Sequence, residues 1–429
     1  MTKMRFGMVL NVVALLLLLG FCSASDYKWR KAMISGETSS SMMMNRVGSS
    51  VLLPLYGNVY PIGCYNVTIN IGQPSKPYFL DLDTGSDLTW LQCDSFRVRC
   101  VEAPHPFYQH SNDLVPFTDP LCESLHPPDE HKCDDPRQDR QCHYKVEYAD
   151  GSSSLGFLVR DVFALNYTNG APLNPRLALG CGYYQLSGTS HHPLDGVLGL
   201  GRGKTSIVSQ LYSQSLVRNV VGHCLSGRGG GFLFFGDGLY DSSRIVWTSM
   251  SSDPKFYSPG SAELVFSGKT TGLKDLNVVF DSGSSYTYFN SQAYQKLLDL
   301  MNKKLAGKPL KKATDDQTLP LCWKRVGGGP FKSVHDVREF FESISLAFTS
   351  NGAKTQFQLP PESYLIISNK GNVCLGILNG SDEGLGDYNI IGDISMQDRL
   401  VIYDNEKQLI GWALANCDQL PKPKYAYTK

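Results

Sequence analysis

Charge of one sign is missing from this sequence. Its 429 residues carry 40 Lys and Arg against 40 Asp and Glu, which leaves no electrostatic footprint for nucleic acid or an anionic membrane. Beyond one apolar run at residues 8–21, nothing approaches the roughly 20 residues that span a bilayer. The polar end at 422–429 excludes a GPI-type hydrophobic tail. There is no Gly-x-Ser-x-Gly, so a serine-nucleophile hydrolase is unsupported. Residues 199–205, Gly-Leu-Gly-Arg-Gly-Lys-Thr, imitate a phosphate loop, but the spacing requires Gly at 198, where Leu198 stands. The stretch 227–231 reads as a Gly-rich turn. His191 and His192 have no partner at metal-ligand spacing and read as exposed loop histidines. No cofactor or metal is expected.

What is abundant points to a β-rich chain. Apolar residues make up 42% and aromatics 11%, with 41 Gly and 23 Pro, a balance that suits many short strands and tight turns. The length suggests two lobes of under 200 residues each. Lys3 and Arg5 precede the apolar run, and Ser23, Ala24 and Ser25 follow it. That layout is expected to be a signal peptide over residues 1–25, in preference to an uncleaved signal anchor, directing the chain to the secretory pathway, extracellular or vacuolar, with no membrane anchor after cleavage. Residues 26–52 are polar and irregular, a short pro-segment or disordered arm. The expected lobes cover 53–240 and 241–417, and 418–429 is a disordered tail. Twelve cysteines suit an oxidising compartment, where disulfides are favoured over zinc. Asn66, Asn166 and Asn379 open sequons and are glycosylation candidates.

Two strands are expected early, at 67–71 and at 78–82, the second running straight into Asp83. Helices are expected after Asn290, with Tyr294, Leu297, Leu298 and Met301 on one face, and from Ser333. The second has a capping-box-like Asp336 and carries Val337, Phe340, Phe341 and Ile344.

An internal repeat is the informative feature. Leu82-Asp83-Thr84-Gly85-Ser86 returns as Phe280-Asp281-Ser282-Gly283-Ser284. Val197-Leu198-Gly199 ends 116 residues after Asp83, and Ile390-Ile391-Gly392 ends 111 residues after Asp281. Similar motifs in the same order at nearly equal spacing imply two homologous lobes. The chemistry explains why this motif would be doubled. Water is activated for attack on a peptide bond between two carboxyl groups, one acting as base and one as acid. Two carboxyls about 3 Å apart share a proton and titrate as a pair. Gly85 and Gly283 permit close backbone approach, and the hydroxyls of Thr84, Ser86, Ser282 and Ser284 can hold the carboxylates and join the loops. A glycosidase needs carboxylates at least about 5 Å apart and no such repeat.

These motifs resemble those of the pepsin-type aspartic protease family, most closely its nucellin-like atypical plant branch, from about Tyr60 to Cys417. The resemblance implies an all-β fold with a few short helices, in two lobes with an active-site cleft between them. It implies an aspartic endopeptidase with an acidic optimum, acting as a monomer on peptide or protein substrates. Asp83 and Asp281 match the catalytic pair. Tyr148, in the segment 147–152 with Gly151, matches the flap tyrosine that closes over substrate, and Trp90 matches the tryptophan that supports it. The two triplets match those that pack beneath the catalytic loops. Cys322 and Cys374 match a disulfide of the second lobe. The chain departs from the family pattern at Ala149, usually Gly, and at Arg97 and Phe117, usually both Cys. It also lacks a saposin-like insert. Without Cys22, eleven cysteines remain and cannot all pair within one chain; Cys64, where related chains carry an aromatic residue, is the candidate free thiol. The alternative is a catalytically silent binding or inhibitor protein of the same fold. Such relatives have lost a catalytic Asp, and this chain keeps both.

Overall fold

The computed structural model describes residues 50–94, 99–126, 141–188, 194–350 and 352–421. The expected signal peptide, most of the 26–52 segment, Arg97, Cys133, His191, His192 and the last eight residues lie outside these. The described chain is mostly strand with a few short helices. A 14-stranded sheet, an 8-stranded sheet and a 4-stranded sheet carry it.

The two expected early strands are Cys64–Ile71 and Lys76–Asp83, paired antiparallel with Val67 opposite Leu80. Along the second strand Tyr78, Leu80 and Leu82 are buried in the core, because successive side chains alternate between faces. Asp81 and Asp83 share the opposite face. Asp83 then pairs, in parallel, beside Gly199 of the strand Gly196–Gly199, which also pairs antiparallel with Trp90–Gln92. The second half repeats this plan. Leu276–Phe280 pairs parallel with Tyr388–Ile391, Phe280 beside Ile391, and Tyr388–Ile391 pairs antiparallel with Thr287–Phe289. The sequence repeat is therefore a repeat of three-strand units.

The last strands of the chain, Arg399–Asp404 and Leu409–Leu414, belong to the sheet of the first half. Val220 lies opposite Asp404, and a Cys224–Cys417 disulfide joins segments 193 residues apart. Further disulfides link Cys93 to Cys181, Cys122 to Cys142 and Cys322 to Cys374. The pairs Cys122–Cys142 and Cys322–Cys374 use up the cysteines of the two clusters with metal-like spacing. Cys64 is buried and carries no disulfide. Phe117, where the family pattern carries a cysteine, packs on the apolar cluster of Leu88, Trp90, Val115 and Tyr144.

The helix after Asn290 spans Ser291–Leu305. Asn290 caps it by accepting a hydrogen bond from the Ala293 backbone N at 2.9 Å, and Leu297 and Met301 are buried. The helix expected from Ser333 does not form. Its capping box is present, but it organises only two 3₁₀ turns, Val334–Asp336 and Arg338–Phe340. From Ile344 the apolar residues alternate with period two (Ile344, Leu346, Phe348), and strand pairing with Gly260–Phe266 takes over. No described helix is long and apolar enough to cross a membrane.

Candidate active site

Asp83 ends the strand Lys76–Asp83 and Asp281 follows Leu276–Phe280 directly, so each carboxylate sits on the turn that leaves a parallel strand pair. Each is held in the same way. Gly85 N donates to Asp83 Oδ1 at 2.8 Å, and Gly283 N to Asp281 Oδ1 at 2.9 Å. Ser86 Oγ donates to Asp83 Oδ2, and Ser284 Oγ to Asp281 Oδ2 at 2.8 Å. The loops are also bound to each other. Thr84 N donates to Ser282 Oγ at 3.1 Å and Ser282 N to Thr84 Oγ1 at 2.9 Å, while the two hydroxyls donate onward to Phe280 O and Leu82 O. Thr84 and Ser282 are almost fully buried, so these bonds are shielded from competing water.

The glycines explain themselves here. A Cβ on Gly85 would come within 2.6 Å of Asp281 Oδ1, and one on Gly283 within 2.6 Å of Asp83 Oδ1. Each carboxylate thus lies against the other loop's glycine, which brings the pair to one place. Beneath them, a Cβ on Gly199 would strike the Asp87 backbone at 2.3 Å, and one on Gly392 the Tyr286 carbonyl at 2.0 Å. The segment that imitated a phosphate loop has its own occupant. Gly203 N donates to Asp87 Oδ1 at 2.7 Å, and Gly201 and Gly203 both pack on that carboxylate.

A cleft of about 1200 Å³ lies over the dyad. Its roof is the hairpin His143–Glu147 and Ser153–Asn166, whose tip carries Tyr148. Gly151 takes φ +81° at that tip, a conformation that favours glycine. Trp90 Nε1 donates to Tyr148 OH at 2.7 Å, joining the residue expected as the flap tyrosine to its expected support. Burial, and after it the Asp83 charge, pushes the Tyr148 hydroxyl up, so it stays a neutral phenol. Asp83 is pushed well above the ordinary carboxylate range by burial and then by Asp281, as expected for two carboxyls that cannot both ionise freely.

Of the glycosylation candidates, Asn166 is exposed at a strand end, Asn66 lies half-buried within a strand, and Asn379 caps the turn Gly380–Glu383. Two acidic residues at the site escaped the motif reading. Asp81 and Asp393 also line the cleft. Asp81 is pushed up to about 7, by burial first and with Asp281 contributing, and Asp393 is raised well above the usual range by burial and then by Asp81. Both were findable by aligning the two repeats, because Val279 stands where Asp81 does and Leu200 where Asp393 does.

The family model described as xylanase inhibitor N-terminal matches residues 65–237, and the one described as xylanase inhibitor C-terminal matches 264–413. An aspartic proteinase of Oryza sativa subsp. japonica is 45% identical over 392 residues, covering 89% of this chain and 94% of its own. Aspartic proteinase 39 of Arabidopsis thaliana is 28% identical over 407 residues, covering 89% and 80%. The crystal structure of the protein named edgp matches with a TM-score of 0.65 at 18% identity, covering 86% of this chain and 95% of that one. That likeness is one of fold, a pepsin-like architecture in two lobes. With the rice relative matched along nearly its full length, the chain belongs to the pepsin-type aspartic protease family, among its plant members.

Proposed function

We propose that this chain is an aspartic endopeptidase in which Asp83 and Asp281 activate a water molecule between them. The observation that carries the reading is reciprocal: both carboxylates are present, and each packs against the other loop's glycine. In the reaction one ionised carboxylate takes a proton from water as its oxygen attacks the scissile carbonyl carbon. The other, protonated carboxyl supplies a proton, and the amine leaves protonated as the C–N bond breaks. No covalent bond to the enzyme forms. Tyr148 closes over the bound peptide and excludes solvent, with Trp90 fixing its hydroxyl. The dyad works with one proton shared, so turnover is greatest at acidic pH and falls as both carboxylates ionise. The protein acts in the secretory pathway, outside the cell or in the vacuole, as a monomer on peptide or protein substrates.

A second reading has a specific observation in its favour: the matching family models are named for xylanase inhibitors. Under it the cleft binds without cleaving. Peptide hydrolysis in ¹⁸O-labelled water separates the two. The protease reading expects one ¹⁸O in each new carboxyl group and no transfer product when an amine nucleophile is added. Binding of peptides without hydrolysis at any pH leaves the binding protein; a trapped acyl-enzyme contradicts the water mechanism.

A further inference from the structure

We propose that the cleft selects peptides carrying lysine or arginine next to the scissile bond, and that Asp81 is the residue that selects them. The inference rests on the endopeptidase reading above and specifies its substrate class.

The two lobes supply the first observation. Asp81 sits two residues before Asp83, on the same face of its strand, about 7 Å along it and within reach of a side chain that flanks a bond held at the dyad. The second lobe places Val279 at the matching position. An apolar residue therefore satisfies the fold at this position, and the carboxylate is not required by it. Asp81 Oδ1 accepts a hydrogen bond from Leu82 N at 3.0 Å, and among the described residues no lysine or arginine is paired with it.

Asp393 supplies the second. It is 1% exposed, lines the same cleft, and neither of its oxygens has a hydrogen-bond partner. Its counterpart in the first lobe is Leu200, so this acid too is absent from the other copy. A buried carboxylate without partners is costly, and a ligand that brings positive charge recovers that cost. The wider cleft has the same sign. Glu147, Asp150, Glu383 and Asp387 also line it, with Lys255 as the basic residue among the described lining. The chain as a whole is neutral, so the negative field is local to the cleft and draws cationic peptides to it.

Among the described residues, the titratable groups that interact with Asp81 include four acids and a thiol: Asp83, Asp150, Asp281, Asp393 and Cys64. A bound ammonium or guanidinium would favour the ionised form of Asp81. Preference for a cationic peptide therefore grows as pH rises toward neutrality.

Matched peptides carrying lysine or its uncharged analogue norleucine, placed in turn at three positions on either side of the scissile bond, test this. At one position kcat/KM for lysine should exceed that for norleucine by roughly tenfold, about 1.4 kcal/mol. Asp81→Asn and Asp81→Val should each abolish that ratio, lowering turnover of the lysine peptide more than that of the norleucine peptide when each variant is measured at its own pH optimum. Lysine showing no advantage at any position overturns the inference, as does an advantage that survives both substitutions. If neither peptide is cleaved, the endopeptidase reading fails and the inference is decided by binding. Tighter binding of the lysine peptide, lost in Asp81→Asn, upholds it; equal Kd values overturn it.

Discussion

In the first lobe the strand leading to Asp83 carries Asp81 on its cleft face, whereas in the second lobe the strand leading to Asp281 carries Val279. The triplet beneath the loop is followed by Leu200 in the first lobe and by Asp393 in the second. Against these differences stands a shared loop: the same backbone turn, the same pair of hydrogen bonds to each carboxylate, and the same glycine facing the opposite acid. What the copies share is what the proposed water activation needs from both sides. What they do not share is free to serve other ends. The flap belongs to this asymmetric set, since Tyr148 and Trp90 arise from the first lobe alone.

Breaking the shared part should have the largest effect. Gly85→Ala and Gly283→Ala each drive a methyl group to 2.6 Å from the opposite carboxylate. Displacement of a catalytic group by about 1 Å costs on the order of 100-fold. Both variants should lose at least about that much in kcat, and by similar factors, measured on one peptide at the pH optimum. A large loss in one with none in the other would show that the lobes are not equivalent at this level.

Removing the asymmetric flap residue should cost less. Tyr148→Ala should lower kcat/KM by about 10- to 100-fold, or roughly 1.4 to 2.8 kcal/mol, with little change in melting temperature. Early melting with normal turnover per folded molecule would reduce Tyr148 to a packing residue.

The smallest effect should appear in stability and should have a pH sign. Burial raises the Asp393 carboxyl well above its ordinary value, so the folded chain holds a proton that the unfolded chain releases. Its contribution is favourable below about pH 4 and is lost as pH rises toward the folded value. Asp393→Asn should therefore stabilise the fold by about 1–3 kcal/mol at pH 7 and change it little at pH 3, measured by denaturant unfolding at both. Destabilisation at pH 7 would mean that the ionised Asp393 has a partner in the folded state.

How much of this was legible beforehand follows from where each signal lies. The loops of Asp83 and Asp281 were readable because both lobes present the same turn, so Asp-Thr/Ser-Gly-Ser appears twice. The helix Ser291–Leu305 was readable from its Asn290 cap and apolar stripe. The segment after Ser333 misled because a capping box specifies only one turn, and the alternation from Ile344 carried more weight through its strand partners. The return of Arg399–Asp404 to the first half's sheet has no local signal, since it depends on pairing with Val220–Leu225 far earlier in the chain. Aligning the two repeats marks Asp81 and Asp393 as the odd residues, but only the fold shows that both line the cleft.

The proposed mechanism requires that each lobe supply half of one catalytic dyad. This is tested most directly by measuring peptide binding and peptide turnover on the same preparations of Asp83→Asn and Asp281→Asn. Both variants should bind peptide with a Kd near that of the unaltered protein, and each should lose turnover by about 10³-fold or more. Normal turnover in either variant would contradict the mechanism.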